Sequence, residues 1–227
     1  MTRFERLFVW MGGAMFVLSL AVGAYTYIFS WATPFRAGAG RALAVDVVLM
    51  AIFAAHHSLF AREWLKRRLE RTVPRRLLRS VYVWAASSLL LAVLLLWAPV
   101  GGDIYQAEGI AALGLTVLQL AGVFLIARSV ATIDPLELAG IHVESQRHGL
   151  QITGPYRLVR HPLYLGWLLA VFGAPHMTGD RLAFAAMTAV YLAMAIPWEE
   201  RSLLAAFGGE YARYQQRVRW KLVPFVY

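Results

Sequence analysis

The stretch GIAALGLTVLQLAGVFLIAR, from Gly109 to Arg128, carries no charged residue before its last position. About 20 apolar residues in a row are enough for a helix to cross the hydrocarbon core of a bilayer. Comparable stretches lie near residues 8–31, 42–61, 80–100, 162–178 and 182–198. We therefore predict an all-α fold, a polytopic transmembrane helical bundle with about six spanning helices. The count falls to five if the short last two, a helical hairpin with its turn at residues 178–180, do not both cross.

The composition of the whole chain also indicates a membrane protein. Its 227 residues are 59% hydrophobic and 15% charged, with a mean hydropathy of +0.56, whereas a soluble domain carries about 25% charged residues. The absence of cysteine excludes disulfides, thiolate metal sites and a cysteine nucleophile. The first apolar run is too long for a signal peptide, so we take it as a spanning helix. We predict one membrane-embedded domain over residues 1–227, with a four-helix membrane scaffold over 1–128 and a loop, a helical hairpin and a C-terminal tail over 129–227.

The basic residues are distributed unevenly between the predicted connections. The N-terminus, the 62–79 loop, the loop that follows residue 127 and the C-terminal tail hold 2, 8, 4 and 5 of them, 19 in all. The other side of the membrane holds three, Arg36, Arg41 and Arg181. Basic residues concentrate on cytoplasmic connections, so both termini are predicted to face the cytoplasm. The net charge of +9 is then a topology signal, and nucleic acid is not expected as a partner.

The 62–79 segment, REWLKRRLERTVPRRLLR, places apolar residues among its basic ones. That spacing predicts a short helix in the headgroup region, anchored on anionic lipid. The lipid bilayer is therefore the expected partner of this segment.

The segment GPYRLVRHPLYLG, from Gly154 to Gly166, begins the fifth apolar run. Pro162 suits the first position of a helix, where unsatisfied N–H groups and a partial positive charge attract anions. Arg160 and His161 add donors there, and Arg157 offers a second clamp. Such residues also decorate ordinary interfacial helix ends, so this segment by itself leaves an anion site and a structural role open.

Two adjacent carboxylates, Glu199 and Glu200, close the last apolar run. Adjacent carboxylates at a membrane boundary repel each other and lose hydration, so a binding site would explain them, while a solvated helix end is the alternative. The hairpin is expected to bring them to the same face as Arg160 and His161. Together these groups suit a ligand with a carboxylate, cationic groups and a sugar diol.

The C-terminal tail alternates basic and aromatic residues after Gly208 and Gly209. Its Tyr211, Tyr214 and Arg217 fall near one helical face, which either closes over a ligand or lies on the bilayer. His56 and His57 end the second apolar run, but adjacent histidines point about 100° apart on a helix and do not easily share a metal. No metal site is predicted.

These motifs resemble the integral-membrane methyltransferases related to isoprenylcysteine carboxyl methyltransferase. The similar elements are GPYRLVRHPLYLGW and then EERSLLAAFGGEYARYQQRV, ending in VPF, over residues 154–225. HHSLFAR (56–62), residues 73–91 and APHMTG are more similar to the bacterial branch of methanethiol S-methyltransferases and NnrU-like proteins. A proline often follows the valine of the tail in that family, and this chain has Arg219 there.

The resemblance implies S-adenosylmethionine as cofactor, bound at the cytoplasmic ends of the last two helices. Together with Arg157 and Pro162, the implied cofactor residues are Tyr156, Arg160, His161, Tyr164, Leu165, Gly166, Glu199, Glu200 and Leu203. Arg217 and Glu200 are the candidate catalytic residues, and Trp198, Tyr211 and Tyr214 are the candidate substrate-binding residues. Trp198, Phe207 and Tyr211 are available for an adenine slot.

We therefore predict an S-adenosylmethionine-dependent methyltransferase of the bacterial inner membrane, with its active site on the cytoplasmic side. Its acceptor is small or lipophilic, with methanethiol preferred on the resemblance. The alternatives are carboxyl methylation of an isoprenylcysteine-like lipidated substrate and a non-enzymatic NnrU-like membrane protein. The sequence leaves the oligomeric state open.

Overall fold

The computed structural model describes residues 1–32, 39–60, 62–133, 135–141 and 149–227. Its helices are α1 (Arg3–Ile28), α2 (Ala39–Phe60), α3 (Glu63–Leu69), α4 (Arg75–Leu95), α5 (Gly109–Thr132), α6 (Pro135–Leu138), α7 (Pro162–Phe172), α8 (Gly179–Phe207) and α9 (Gly209–Arg217). Two short strands, β1 (Asp103–Gln106) and β2 (His176–Thr178), pair antiparallel. Single 3₁₀ turns cover Ser30–Ala32 and Gly154–Arg157. The prediction of an all-α polytopic membrane protein is confirmed.

Five helical segments among the described residues are long and apolar enough to cross a membrane. They are Arg3–Ala32, Gly40–Phe60, Arg75–Leu95, Gly109–Thr132 and Gly179–Phe207. The sixth apolar helix, α7, has 11 residues and is therefore about 16 Å long, about half of the hydrocarbon thickness. The chain is an integral membrane protein, and its described part contains five such helices and a shorter sixth.

Two boundaries differ from those expected for the predicted hairpin. The run expected over 162–178 ends as a helix at Phe172, and residues 176–178 form β2 instead. The run expected over 182–198 continues through Pro197 to Phe207, because a proline is tolerated in an apolar helix whose freed backbone groups find other partners. The two glutamates therefore lie within α8 and not at its end.

The predicted interfacial segment 62–79 also divides. Its first part forms α3, but the residues from Arg75 onward already belong to the spanning helix α4. Of the charges used to orient the chain, Arg36 and Arg147 lie outside the described residues.

The described helices and strands fall into two compact units. The first contains α1 to α4 and α6, and the second contains β1, α5, α7, β2, α8 and α9. The prediction of a single domain stays a prediction.

Within the first unit, α1 and α4 pack closely at a small residue. A Cβ atom at Gly12 would lie 2.8 Å from Nε1 of Trp84, and the Trp84 indole N–H donates to the carbonyl of Phe8 at 3.0 Å. The buried carboxylate of Asp46 in α2 accepts the backbone N–H of Ala98 at 2.8 Å. Close approach at small residues and polar contacts of this kind hold helices together in lipid.

Within the second unit, α7 is fixed against α5 by glycines on both helices. A Cβ atom at Gly122 would lie 2.5 Å from the nitrogen of Ala170, and one at Gly166 would lie 2.8 Å from the Gly122 carbonyl oxygen. The Gln119 side chain donates to the carbonyl of Ala170 at 2.9 Å. The two helices run antiparallel, since residue 119 of α5 meets residue 173 at the end of α7. The start of α7 therefore lies at the end of the unit where α5 finishes.

Candidate active site

The loop before α7 is held in place by the C-terminal tail. Pro162 is the first residue of α7, where its missing N–H costs nothing. The backbone N–H groups of Arg160 and His161 donate to the carbonyls of Trp220 and Lys221, each at 2.9 Å. Two backbone hydrogen bonds thus join the tail to the loop directly before the helix starts.

The Arg160 side chain connects this pairing to α8. Its Nε–H donates to Oε1 of Glu200 at 2.6 Å, and its Nη1 donates to the carbonyls of Val218 and Arg219 at 2.8 and 2.9 Å. Arg160 is 8% exposed and Glu200 9%, so the ion pair is almost free of water. Water cannot replace either partner at low cost, which makes this contact a clamp between the loop, α8 and the tail.

His161 lies between the two adjacent carboxylates. Its Nδ1 is 3.5 Å from Oε2 of Glu199 and its Nε2 is 3.4 Å from Oε1 of Glu200, while its ring stacks on Tyr164 with 5.4 Å between centroids. Burial alone would lower the pKa of the imidazole, but hydrogen bonds and charge from the two carboxylates outweigh burial and raise the pKa. The cluster therefore favours the imidazolium form.

A cavity of about 330 Å³ opens beside this cluster. We call it the tyrosine cavity, and its lining is Ile133, Gly149, Leu150, Gln151, Tyr156, Arg160, His161, Pro162, Leu163, Tyr164, Glu199, Leu203, Phe207, Tyr211 and Tyr214. The Tyr164 hydroxyl donates to Oε2 of Glu199 at 2.8 Å, and the side chain of Glu199 is 44% exposed. One carboxylate of the pair thus faces the cavity, and the other is buried against Arg160.

The tyrosines of this cavity differ in how their hydroxyls are used. Tyr214 donates to the carbonyl of Tyr156 at 2.7 Å, whereas the buried Tyr211 hydroxyl has no hydrogen-bond partner among the described residues. Burial, with the charge of Glu199 as a smaller cause, raises the pKa of Tyr156 to about 12. Burial likewise raises the pKa of Tyr211 and of Tyr214. All three therefore stay protonated at physiological pH, so Tyr211 can donate to a ligand.

The structure gathers most of the sequence-predicted site residues around the tyrosine cavity. Those in its lining are Tyr156, Arg160, His161, Pro162, Tyr164, Glu199, Leu203, Tyr211 and Tyr214. Glu200 lies in contact with His161 and Arg160. Their spatial proximity agrees with the expectation that the two charged motifs meet, although their roles stay predictions.

Five other predicted residues lie elsewhere. Arg157, Leu165 and Arg217 line a second cavity, which shares Pro162 with the first. Gly166 packs against the backbone of α5, and the half-exposed Trp198 stacks with the guanidinium of Arg201 at 4.9 Å.

One wall of the tyrosine cavity contains no residue of the predicted site. That wall comes from Gly149, Leu150 and Gln151, with Ile133 at the end of α5. The apolar residues Leu150 and Ile152 pack against Tyr211, Tyr214 and Val218 of the tail. Leu150 and Ile152 are the apolar residues of the polar stretch from 144 to 153. Their apolar character is the only sequence signal of this wall, and they belong to no recognisable motif.

Comparison with known proteins identifies relatives of this chain. The family described as "Phospholipid methyltransferase" matches residues 110–210. "Methanethiol S-methyltransferase 1" of Bradyrhizobium diazoefficiens is 38% identical over 194 residues, 82% of this chain and 68% of that protein. The chain belongs to this family of membrane methyltransferases.

Other relatives are consistent with that membership. "Methanethiol S-methyltransferase" of Mycobacterium tuberculosis is 35% identical over 190 residues, 79% of this chain and 77% of that protein. "Probable protein-S-isoprenylcysteine O-methyltransferase" of Oryza sativa subsp. indica is 42% identical over 89 residues, 38% of this chain and 46% of that protein. No solved structure matches the chain. The prediction that this membrane protein is a methyltransferase is confirmed over the non-enzymatic alternative.

Proposed function

We propose that this methyltransferase binds S-adenosylmethionine in the tyrosine cavity and transfers its methyl group to a small thiol. The cofactor has a carboxylate, an ammonium, a ribose diol and an aromatic base. The cavity offers the Glu199 carboxylate, the His161 imidazolium and four tyrosine rings, so its donors and acceptors complement those of the cofactor. A volume of about 330 Å³ is within the usual range for small-molecule sites.

The observation that carries this proposal is the Tyr211 hydroxyl. Tyr211 is 1% exposed, lines the cavity, and its hydroxyl lacks a partner in the described part of the chain. A buried hydroxyl without a partner costs about 1–3 kcal/mol. A polar ligand in the cavity would remove that cost, and an apolar ligand would not.

Each charged group then has a distinct task. Glu199 accepts hydrogen bonds from the ammonium or the ribose of the cofactor. The first N–H groups of α7 hold the cofactor carboxylate, and His161, whose two ring nitrogens face Glu199 and Glu200, fixes the positions of these two side chains. Arg160 already donates to Glu200 and to the tail, so we assign it the positioning of His161 and Glu200.

S-adenosylmethionine, when bound, would supply a methyl group carried on a positively charged sulfur. The acceptor sulfur would bond to the methyl carbon, and the cofactor would leave as the neutral thioether S-adenosylhomocysteine. The chain must align the acceptor and exclude water. A thiol reacts as its thiolate, and a neighbouring cation favours that form. Arg217 is our candidate for this cation. It lines the second cavity, and Pro162 lines both that cavity and the tyrosine cavity, so the two cavities are adjacent.

A methanethiol-like acceptor is supported by the names of the relatives that align over most of the chain. The isoprenylcysteine methyltransferase covers 38% of it, so a carboxylate on a lipidated substrate is the second candidate.

We also propose that the site faces the cytoplasm of a bacterial inner membrane. Arg128 of α5, the loop before α7 and the tail lie at the end of the second unit that carries the tyrosine cavity. The Arg and Lys residues there belong to the basic side of the chain, which is the side that stays in the cytoplasm.

Calorimetric titration of the detergent-purified protein with S-adenosylhomocysteine tests the cofactor proposal. We expect micromolar binding that Glu199→Gln weakens by about tenfold or more, since a charge-assisted hydrogen bond contributes about 1.5–3 kcal/mol. Glu210→Gln, an exposed glutamate of α9 outside both cavity linings, is the matched control and should bind like wild type. Absence of binding in wild type, or equal binding by Glu199→Gln, would refute the site.

A second assay tests the acceptor. Wild-type protein with S-adenosylmethionine and methanethiol should release dimethyl sulfide into the headspace, detected by gas chromatography. A farnesylcysteine peptide is supplied in parallel, and methyl ester formation on it without dimethyl sulfide would overturn the thiol assignment.

A further inference from the structure

Two arginines of the second cavity, Arg157 and Arg219, have no task in the proposed methyl transfer. We call it the arginine cavity; it has a volume of about 460 Å³ and lies between α5, the loop before α7 and the tail. Its lining includes Leu125, Arg157, Leu158, Arg217, Arg219 and Phe225. It shares only Pro162 with the tyrosine cavity.

The charges around the arginine cavity all have one sign. Arg157, Arg217 and Arg219 line it, and no aspartate or glutamate of the described residues does so. All three arginines are exposed, and no carboxylate of the described residues forms an ion pair with any of them. Three guanidinium groups near one cavity repel each other unless an anion lies between them.

The rest of the lining is apolar and includes a residue of a spanning helix. Leu125 belongs to the spanning helix α5, seven positions before its last residue, which is about 10 Å along the helix axis. Leu158 is 69% exposed and Phe225 86%. Large apolar side chains with this exposure at the edge of a spanning helix are covered by lipid.

Phe225 adds a second sign of an external partner. Its φ angle of 66° is left-handed, a conformation that is unfavourable for a non-glycine residue. The ring lies at the surface and contacts Trp220, with 5.2 Å between the ring centroids. Strain of this kind usually persists where it serves a contact.

We propose that the arginine cavity binds an anionic phospholipid of the surrounding leaflet. The phosphate lies between Arg157 and Arg219, which leaves Arg217 for the acceptor thiolate, and one acyl chain follows Leu125, Leu158 and Phe225. Basic pockets beside spanning helices suit such headgroups. A zwitterionic ethanolamine lipid fits less well, because the lining offers its ammonium no carboxylate. The lipid is a bound ligand and not the methyl acceptor, so the inference does not rest on the proposed function.

Such a lipid would also stabilise the active site indirectly. Arg219 and Trp220 line the arginine cavity, and the carbonyls of the same two residues accept hydrogen bonds from Arg160. A lipid that holds the outer side of the tail therefore stabilises the pairing between the tail and the loop before α7. The composition of the leaflet then affects the order of the cofactor site.

The test is native mass spectrometry of the full-length protein with added lipid. The probes are dioleoyl-phosphatidylglycerol, dioleoyl-phosphatidylcholine, dioleoyl-phosphatidylethanolamine and soluble glycerol 3-phosphate. The variants are Arg219→Gln and Arg157→Gln/Arg219→Gln, with Arg213→Gln as the control. Arg213 is an exposed arginine of α9 that lines neither cavity.

We expect phosphatidylglycerol to bind at least tenfold more tightly than either zwitterionic lipid. Each arginine removed should weaken it about fivefold, which corresponds to about 1 kcal/mol per basic residue at a lipid surface, while Arg213→Gln should bind like wild type. Equal binding of all lipids, or an equal effect of Arg219→Gln and Arg213→Gln, would overturn the proposal. Glycerol 3-phosphate binding as tightly as the lipid would also overturn it, by showing a site for free anions. S-adenosylhomocysteine titration of the same samples reports on the cofactor site independently.

Discussion

Replacing Arg160 by alanine should destabilise the protein more than any exposed arginine does. The substitution leaves the buried Glu200 carboxylate without its 2.6 Å partner and the carbonyls of Val218 and Arg219 without their donor. Breaking a buried ion pair from one side costs about 3–5 kcal/mol. For a protein of this size, a loss of that order lowers the midpoint of thermal unfolding by about 6–20 °C. Arg213→Ala, an exposed residue of α9, should lower it by about 2 °C or less.

The double variant Arg160→Ala/Glu200→Ala separates the ion pair from the general loss of packing. Removing both charges leaves no uncompensated carboxylate, so the double variant should be more stable than Arg160→Ala alone. Thermal unfolding in detergent gives the stabilities. Hydrogen exchange of residues 154–166 shows whether the backbone pairing with the tail has opened. An Arg160→Ala protein within about 1 kcal/mol of wild type, with unchanged exchange, would refute the clamp.

Three further predictions follow from the second unit. Because the pKa of His161 is raised in the folded protein, the stabilisation from its charge is complete below about pH 6.5. That stabilisation is lost as the pH rises through the raised pKa. The midpoint of thermal unfolding of the wild type should therefore fall as the pH rises from about 6.5 through that pKa. The midpoint of His161→Asn should not change with pH over the same range. Gly166→Ala should cost about 1–3 kcal/mol in an unfolding titration, because its Cβ would lie 2.8 Å from the carbonyl oxygen of Gly122. Gly114→Ala on α5, which meets no atom within 4 Å, should be neutral or stabilising by up to about 1 kcal/mol. Tyr211→Phe removes a buried hydroxyl without a described partner, so the stability of the protein should stay the same or rise. The same substitution should weaken the binding of S-adenosylhomocysteine about tenfold, as measured by calorimetry. An unchanged affinity would show that Tyr211 does not contact the cofactor.

The spanning helices could be recognised from the sequence because the signal is local. A run such as Gly109 to Arg128 is apolar at nearly every position, and in lipid such a run has to satisfy its own backbone as a helix. The start of α7 was equally local, since Pro162 both begins a helix and ends the extended segment before it. The family resemblance also depended on short motifs within residues 154–225, and the choice of the bacterial branch depended on residues 56–62, 73–91 and 174–179. It did not depend on the fold.

The contacts that form the site are long-range, and only the tertiary structure decided them. Arg160 and Glu200 are 40 positions apart, and Arg160 and Val218 are 58 apart. No periodicity in the sequence indicates that one guanidinium holds both a helix and the tail. The same folding turned Arg157 and Arg217 toward the arginine cavity and Gly166 toward α5. The side of a segment that faces a cavity depends on the element packed against its other side. The sequence by itself therefore determined the helices, the chemistry of the motifs and the family, while packing in the second unit decided which of those residues share a cavity.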